Sequence, residues 1–149
     1  MAQRKRQRGG GPQPRRVVDA IFGSSDPAQI HEVIATKGIS GKALVTTLKL
    51  LDLRADQLAL VLAQGERTFS RRATSRKALP PAEADRLYRL LRIADLAAEM
   101  IGDADKARRW LLRPVPALGG RTPLNMLRTE AGTAQVERVL YTIAYGGVA

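Results

Sequence analysis

Six polar residues in a short basic stretch have the chemistry that recognises nucleic acid. Residues 66–82 contain five basic side chains and one acidic one. Arginine donates hydrogen bonds to phosphates and to guanine edges, and serine and threonine hydroxyls bond to either. The candidate DNA contacts are Arg67, Thr68, Ser70, Arg71, Arg72 and Arg76. The alternative interpretation is an ordinary solvated surface helix.

A glycine-containing turn farther along the chain has the residue types of an anion site. Gly119 and Gly120 precede Thr122, a good helix cap, and Pro123, which suits the first helical position. Free N–H groups at a helix start can bind anions. The lysine and the spacing of a phosphate-binding P-loop are missing, so the pattern favours a capped structural turn over a nucleotide site.

Catalytic and metal-binding combinations are not evident in the sequence. It contains no cysteine and a single histidine, His31, which we interpret as a surface or packing residue. Several carboxylates alternate with arginines at helical spacing, as in Asp85, Arg86 and Arg89, which is typical of a solvated face. We therefore expect neither an enzyme nor a cofactor.

The basic stretch needs a helix-turn-helix to position it. Apolar residues predict a helix over residues 55–63, Gln64 and Gly65 form the turn, and residues 66–74 form a polar helix with Phe69 facing inward. Arg54 stands where a better N-cap is expected. Two helices precede this unit. One begins at Ser25 or Asp26 and ends at Gly38, and the next is capped by Ser40.

The longest predicted helix covers residues 82–101 and has a broad apolar stripe: Leu87, Leu90, Leu91, Ala94, Ala97, Ala98 and Ile101. Such breadth suits either the central helix of a monomer or a helix that also forms a homodimer. Strand-like alternation of useful length is missing, so the predicted fold class is all-α.

Residues 110–132 form an unusually specified connection between helices. Gly102 should end one helix and Asp103 should cap the next, which Pro114 stops after Arg113. After the glycine turn, Gly132 is expected to end a further helix. Thr133 is then expected to cap the last helix, with an apolar face of Val136, Val139, Leu140 and Ile143.

The pattern W-L-x-x-P-x-P-A-L-G-G-x-T-P-x-x-x-L-x-T-x-x-G-x-x-x-V, starting at Trp110, resembles the toxin-binding domain of the Xre/MbcA/ParS antitoxins. The resemblance is strong over residues 82–149 and extends weakly to about residue 38, where the family has a helix-turn-helix. It implies an Xre-like helix-turn-helix DNA-binding domain at residues 17–80 and a small helical toxin-binding domain at residues 81–149. Residues 1–16 are rich in Gln, Arg, Gly and Pro, which predicts a disordered basic tail.

Family members act on toxins of the RES-domain or ADP-ribosyltransferase-like kind, which use NAD. The resemblance implies that the C-terminal helices cover the toxin's active-site entrance. The expected contacts are Gly119, Gly120, Arg121, Thr122, Pro123, Tyr145, Gly146, Gly147, Val148 and Ala149. A frayed terminus is an equally good interpretation of the last four residues.

The positive charge is concentrated. Of the net charge of +11, residues 1–16 supply +6 and residues 66–82 supply +4. This focus favours contact with a polyanion over a general solubilising charge. The basic N-terminus is not followed by an apolar segment, and apolar runs are too short for a membrane span, so we expect a soluble cytoplasmic protein without membrane contact.

The leading hypothesis is an antitoxin that neutralises a toxin encoded nearby and binds operator double-stranded DNA to repress its own operon, as a homodimer. The alternative is a stand-alone helix-turn-helix transcription regulator that has no toxin. An RNA-binding role is a third possibility, although the sequence offers few aromatic residues for base stacking.

Overall fold

The computed structural model describes residues 15–146, and within them the regular structure is helical. The α-helices are α1 (Val17–Phe22), α2 (Pro27–Glu32), α3 (Lys42–Leu51), α4 (Ala55–Val61), α5 (Glu66–Ala73), α6 (Pro81–Ile101), α7 (Ala104–Leu111), α8 (Pro123–Met126) and α9 (Glu130–Ala144). A π-helical turn, Val33–Lys37, extends α2, and a 3-10 turn, Pro116–Leu118, precedes α8. The predicted all-α class is confirmed. The predicted disordered tail, apart from Arg15 and Arg16, lies outside the described residues.

Helix α6 is the centre of the fold. It packs against α1, α7 and α9, and its buried residues are Ala84, Leu87, Leu90, Leu91, Ile93, Ala94 and Ala97. Two residues of the predicted stripe, Ala98 and Ile101, are only half-buried. Buried side chains on both sides of the predicted domain boundary at residues 80 and 81 join one core. The two predicted domains therefore share this helix.

Local capping signals position most helix ends as the sequence predicts. The Asp26 carboxylate accepts from the Ala28 N–H at 3.1 Å, and the Asp103 carboxylate accepts from the Lys106 N–H at 2.8 Å. The Thr122 hydroxyl accepts from the Asn125 N–H at 3.2 Å, with Pro123 at the first position of α8. These side chains satisfy N–H groups that have no partner within the helix.

The predicted start of the last helix is wrong. Thr129, rather than Thr133, caps α9, since its hydroxyl accepts from the Gly132 N–H at 3.0 Å. Gly132 does not end a helix but lies inside α9, where a Cβ atom would overlap the Met126 carbonyl oxygen. The glycine therefore permits close backbone packing. Ile143 also departs from the predicted apolar face, since 38% of it is exposed.

Two further helix starts differ from those that the sequence predicts. The N-cap residue of α3 is Gly41, although the Ser40 hydroxyl still accepts from the Lys42 N–H at 3.2 Å. Helix α1 was not predicted, because its anchor is distant in sequence. The Val17 and Val18 N–H groups donate to the two oxygens of Asp95 in α6, at 2.8 and 3.0 Å.

Two kinds of feature are missing from residues 15–146. No helix there is both long enough and apolar enough to cross a membrane. The same residues contain no group of three or more histidine and carboxylate side chains arranged to hold a metal ion.

Candidate nucleic-acid interface and C-terminal surface

Helices α4 and α5 form the predicted helix-turn-helix. Leu58 of α4 and Leu62 of the turn are completely buried, and Phe69 is the inward anchor of α5 at 4% exposure. The weak N-cap residue of α4 is compensated by Gln57, whose side-chain oxygen accepts from the Arg54 N–H at 2.9 Å. Apolar contacts with α3 and α4 therefore fix α5 and leave its other face free.

The free face of α5 carries several of the predicted DNA contacts. Arg67, Ser70 and Arg71 are exposed, and their spacing of three and four residues places them on one side of the helix. Thr68 is half-buried, and Arg76 is exposed just after the helix. An exposed helix face with this chemistry fits a major groove.

Arg72 has a different environment from the other predicted contacts. Its Nε lies 3.1 Å from a carboxylate oxygen of Glu83 in α6, and the two side chains are 31% and 13% exposed. Such a partly buried pair links the end of α5 to the start of α6. The sequence alone does not reveal this pairing.

A backbone pairing adds basic residues beside α5. Ser40 and Ala78 form an isolated antiparallel bridge, and the Leu79 N–H donates to the Ile39 carbonyl at 2.7 Å. The Gly41 N–H donates to the Lys77 carbonyl at 3.3 Å, so Lys42 directly follows a residue that contacts Lys77. Both lysine side chains are exposed. Sequence reasoning missed this arrangement because the paired segments are far apart in the chain.

The C-terminal turn is closed by its own backbone. The Val115 N–H donates to the Arg121 carbonyl at 3.0 Å, and the Gly120 N–H donates to the Val115 carbonyl at 3.1 Å. Gly119 and Gly120 have φ of +67° and +79°, values that favour glycine. Buried Val115 and Leu118 anchor the turn to the core.

The predicted toxin contacts in this turn have different exposures. Gly119, Gly120 and Arg121 face solvent, whereas Thr122 is half-buried as a helix cap and Pro123 is buried. The structure therefore leaves three of the five residues available for direct contact. Pro123 and Thr122 hold the shape of the turn.

The end of α9 exposes an aromatic patch. Tyr145 is 78% exposed and stacks on Tyr141, with ring centroids 6.2 Å apart and planes 9° from parallel. Ile143 and Gly146 are exposed nearby in sequence. Gly147, Val148 and Ala149, also predicted contacts, lie outside the described residues. Tyr141 and Ile143 were not predicted, although their positions between the buried residues of α9 could have indicated them.

Ion pairs show that α9 runs parallel to α6. Arg89 pairs with Glu130 at 3.3 Å, and farther along both helices Arg92 pairs with Glu137 at 2.6 Å. The aromatic patch therefore lies toward the C-terminal end of α6. Helix α5 is tied to the opposite end through Glu83.

Family profiles match most of the chain. Residues 33–92 match the antitoxin Xre-like helix-turn-helix domain. Residues 96–146 match the antitoxin Xre/MbcA/ParS C-terminal toxin-binding domain. The first range contains α4, α5 and the Ser40–Ala78 bridge, and the second contains the glycine turn and the aromatic patch. The two ranges meet within α6.

The individual proteins to which the chain is similar are named as antitoxins. The chain is 42% identical over 80 residues to an antitoxin Xre of Pseudomonas putida, covering 54% of this chain and 50% of that protein. It is 37% identical over 81 residues to an antitoxin Xre of Photorhabdus laumondii, covering 54% and 55%. It is 24% identical over 125 residues to a Prs ADP-ribosylating antitoxin of Sphingobium, covering 78% and 79%.

The chain spans about half the length of the Xre relatives that it matches. The recognition from the residue pattern starting at Trp110 is confirmed by the profile over the same residues. The helix-turn-helix is confirmed by the second profile and by the arrangement of α4 and α5. Over residues 33–92 and 96–146 the chain is thus similar to antitoxins of the Xre/MbcA/ParS type.

Proposed function

We propose that this protein is the antitoxin of a type II toxin–antitoxin system. The observation that carries the proposal is the match of residues 96–146 to a toxin-binding domain. The closed glycine turn and the aromatic patch provide that domain with exposed surface of two kinds. Hydrogen bonds hold the turn in one shape, so its docking on a partner loses little conformational entropy.

The proposed partner is a toxin of the RES-domain or ADP-ribosyltransferase-like class that uses NAD and is encoded nearby. In this proposal Arg121 pairs with an acidic residue of the toxin, and Tyr145 buries its ring at the edge of the toxin's cleft. Residues 146–149 enter the cleft and exclude the substrate. Tyrosine and arginine are the residue types that contribute most at protein interfaces, which supports these two as anchors.

The proposed second activity is binding of operator DNA to repress the protein's own operon in the cytoplasm. Arg67, Ser70 and Arg71 would contact base edges and phosphates from the exposed face of α5. A homodimer would place two copies of α5 in successive major grooves of a palindromic operator. A stand-alone regulator without a toxin remains the competing function.

Co-expression with the adjacent reading frame tests toxin binding. We expect the untagged neighbouring product to purify with this protein and its toxicity to be suppressed. Arg121→Glu should abolish co-purification, because it reverses the charge that faces the toxin. Arg67→Glu serves as the matched control, since it reverses an exposed arginine on α5 and should leave the toxin complex intact. Toxicity that persists with the unsubstituted chain would refute the antitoxin function.

Operator binding is tested with duplex DNA from directly upstream of the protein's own gene. The unsubstituted chain should retard this duplex more strongly than a random duplex of equal length at physiological salt. Here Arg67→Glu should lose the binding, and Arg121→Glu should retain it. Equal affinity for the two duplexes would contradict operator recognition and leave only non-specific binding.

A further inference from the structure

We infer that the protein has a second DNA-binding site, separate from the free face of α5. This site binds the phosphate backbone beside the major groove. The site consists of four cations from two segments joined by the Ser40–Ala78 bridge. We name it the bridge cluster: Lys37, Lys42, Arg76 and Lys77. The inference rests on the proposed operator binding and adds contacts with the DNA backbone by residues that lie outside α4 and α5. Of the four, only Arg76 is already a predicted DNA contact.

Backbone contacts fix the two segments against each other. The Leu79 N–H donates to the Ile39 carbonyl at 2.7 Å, and the Gly41 N–H donates to the Lys77 carbonyl at 3.3 Å. At Gly38, which has a φ of +75°, a Cβ atom would lie only 2.6 Å from the Ala78 Cβ. This close approach fixes the origins of the four basic side chains relative to one another.

The cluster has no compensating negative charge within its segments. Residues 33–51 and 67–82 contain neither aspartate nor glutamate. All four cations are exposed, and among residues 15–146 none of them takes part in an ion pair. Elsewhere in the same range arginines such as Arg54, Arg89 and Arg92 do have carboxylate partners. Uncompensated like charges held together are stabilised by a polyanion.

The position of the bridge cluster beside α5 indicates that this polyanion is duplex DNA. A Cβ atom at Gly41 would overlap the carbonyl oxygen of Arg72, so the bridge packs directly on the end of α5. A cleft of about 580 Å³ next to it is lined in part by Arg71, Ser75 and Lys77. Cations that flank a recognition helix contact the backbone of the groove that the helix reads.

Single-stranded nucleic acid fits this surface less well. Binding of single strands relies on exposed aromatic side chains that stack on bases. Phe69 is the only aromatic residue in the two segments, and it is buried in the core. The bridge cluster therefore offers charge without a stacking platform, which matches a duplex backbone.

The test is DNA binding by the full chain with Lys42→Gln and Lys77→Gln combined. The control is the combination of Lys106→Gln and Arg109→Gln, which also removes two positive charges, but from exposed positions on α7. Fluorescence anisotropy is measured at several salt concentrations with the upstream duplex and with a random duplex. The unfolding midpoint of each variant establishes that it is folded.

We expect the bridge variant to lose affinity for both duplexes by the same factor and the control to keep it. Phosphate contacts carry no sequence information, so the ratio between the two duplexes should stay constant. The slope of log affinity against log salt should fall by about 2, roughly one unit for each lost phosphate contact. An unchanged slope in a folded variant would overturn the inference, and so would a loss confined to the upstream duplex. If the unsubstituted chain binds neither duplex, operator binding itself fails and the inference fails with it.

Discussion

Adjacent arginines at positions 71 and 72 have opposite surroundings in the folded chain. Arg71 is exposed on the face of α5 that carries Arg67, whereas Arg72 pairs with Glu83 on α6. A single helix of about 3.6 residues per turn necessarily directs neighbours to different sides. The sequence predicts DNA contact for both, because composition alone cannot distinguish a solvent-facing arginine from a paired one.

The two substitutions should therefore have different effects. Arg71→Ala should weaken operator binding and change the free energy of unfolding by less than about 0.5 kcal/mol, as exposed substitutions do. Arg72→Ala should lower the free energy of unfolding by about 1–3 kcal/mol, because it leaves the mostly buried Glu83 carboxylate without its partner. Urea unfolding and DNA titration of each variant measure these quantities.

The double variant Arg72→Ala with Glu83→Gln tests whether the unpaired Glu83 carboxylate causes the loss of stability. Removal of the unpaired charge should recover part of the lost stability. If Arg72→Ala reduces DNA affinity without any change in unfolding, Arg72 is a direct DNA contact and its pairing with Glu83 is incidental.

Gly132 is needed for packing rather than for a turn. It is helical, and a Cβ atom there would lie 2.9 Å from the Met126 carbonyl carbon and overlap the attached oxygen. Gly132→Ala should lower the free energy of unfolding by about 1–3 kcal/mol, since α8 and α9 must separate to admit the methyl group. The exposed neighbour provides the control, because Ala131→Ser adds one atom without a clash and should change stability by less than about 0.5 kcal/mol. A Gly132→Ala variant as stable as the original would show that this close approach is absent in solution.

At the scale of elements, α1 depends on a carboxylate that belongs to another helix. The two oxygens of Asp95 accept the first N–H groups of α1, and Phe22 packs edge-to-face on Tyr88 at 5.9 Å. Burial raises the pKa of the Asp95 carboxyl, although the N–H bonds from Val17 and Val18 partly oppose this. An acid with a raised pKa in the folded state binds protons more readily when folded than when unfolded.

The stability contribution of Asp95 should therefore depend on pH in a defined direction. It is fully present below the ordinary aspartate pKa of about 3.9 and is lost as pH rises through the raised value. Asp95→Asn removes this titration. The free energy of unfolding of the original chain minus that of Asp95→Asn should thus decrease between about pH 3.5 and pH 7. Urea unfolding at a series of pH values measures the difference. If this difference in free energy increases with pH, the N–H bonds from Val17 and Val18 lower the pKa of Asp95 by more than burial raises it.

Sequence patterns specified the elements whose signals are local. Asp103, Thr122 and Pro123 were predicted at the helix starts that they occupy, because caps act within a few residues. Contacts across long separations were not predictable. The Asp95 oxygens accept hydrogen bonds from Val17 and Val18, which lie 78 and 77 positions earlier in the chain. The Ser40–Ala78 bridge likewise joins segments that are distant in the sequence. Gly132 was misassigned since glycine serves both helix ends and close packing, which have the same sequence signal.

At the scale of the whole molecule, the shared core makes a prediction about cooperativity. Trp110 is the only tryptophan of the chain and reports on the C-terminal half, whereas circular dichroism reports on all helices. Because α6 joins both halves, the two signals should follow one transition. Leu58 is fully buried in α4, so Leu58→Ala should lower the free energy of unfolding by about 2–5 kcal/mol. Both signals should report the same decrease. If the tryptophan signal is unaffected by this change, the two halves unfold as independent domains and do not share a cooperative core.

Helix α6 also sets a fixed distance between α5 and the aromatic patch. Its 21 residues span about 31 Å at 1.5 Å per residue, with the tie to α5 near one end and the aromatic patch toward the other. A flexible linker would let a bound partner swing freely over the DNA, but a continuous helix does not. With α5 bound to DNA as proposed, any protein that docks on the patch would thus be held at a fixed distance and rotation from the axis of the DNA double helix. A second copy or a neighbouring operator site would then either fit beside it or collide with it, according to the spacing in base pairs.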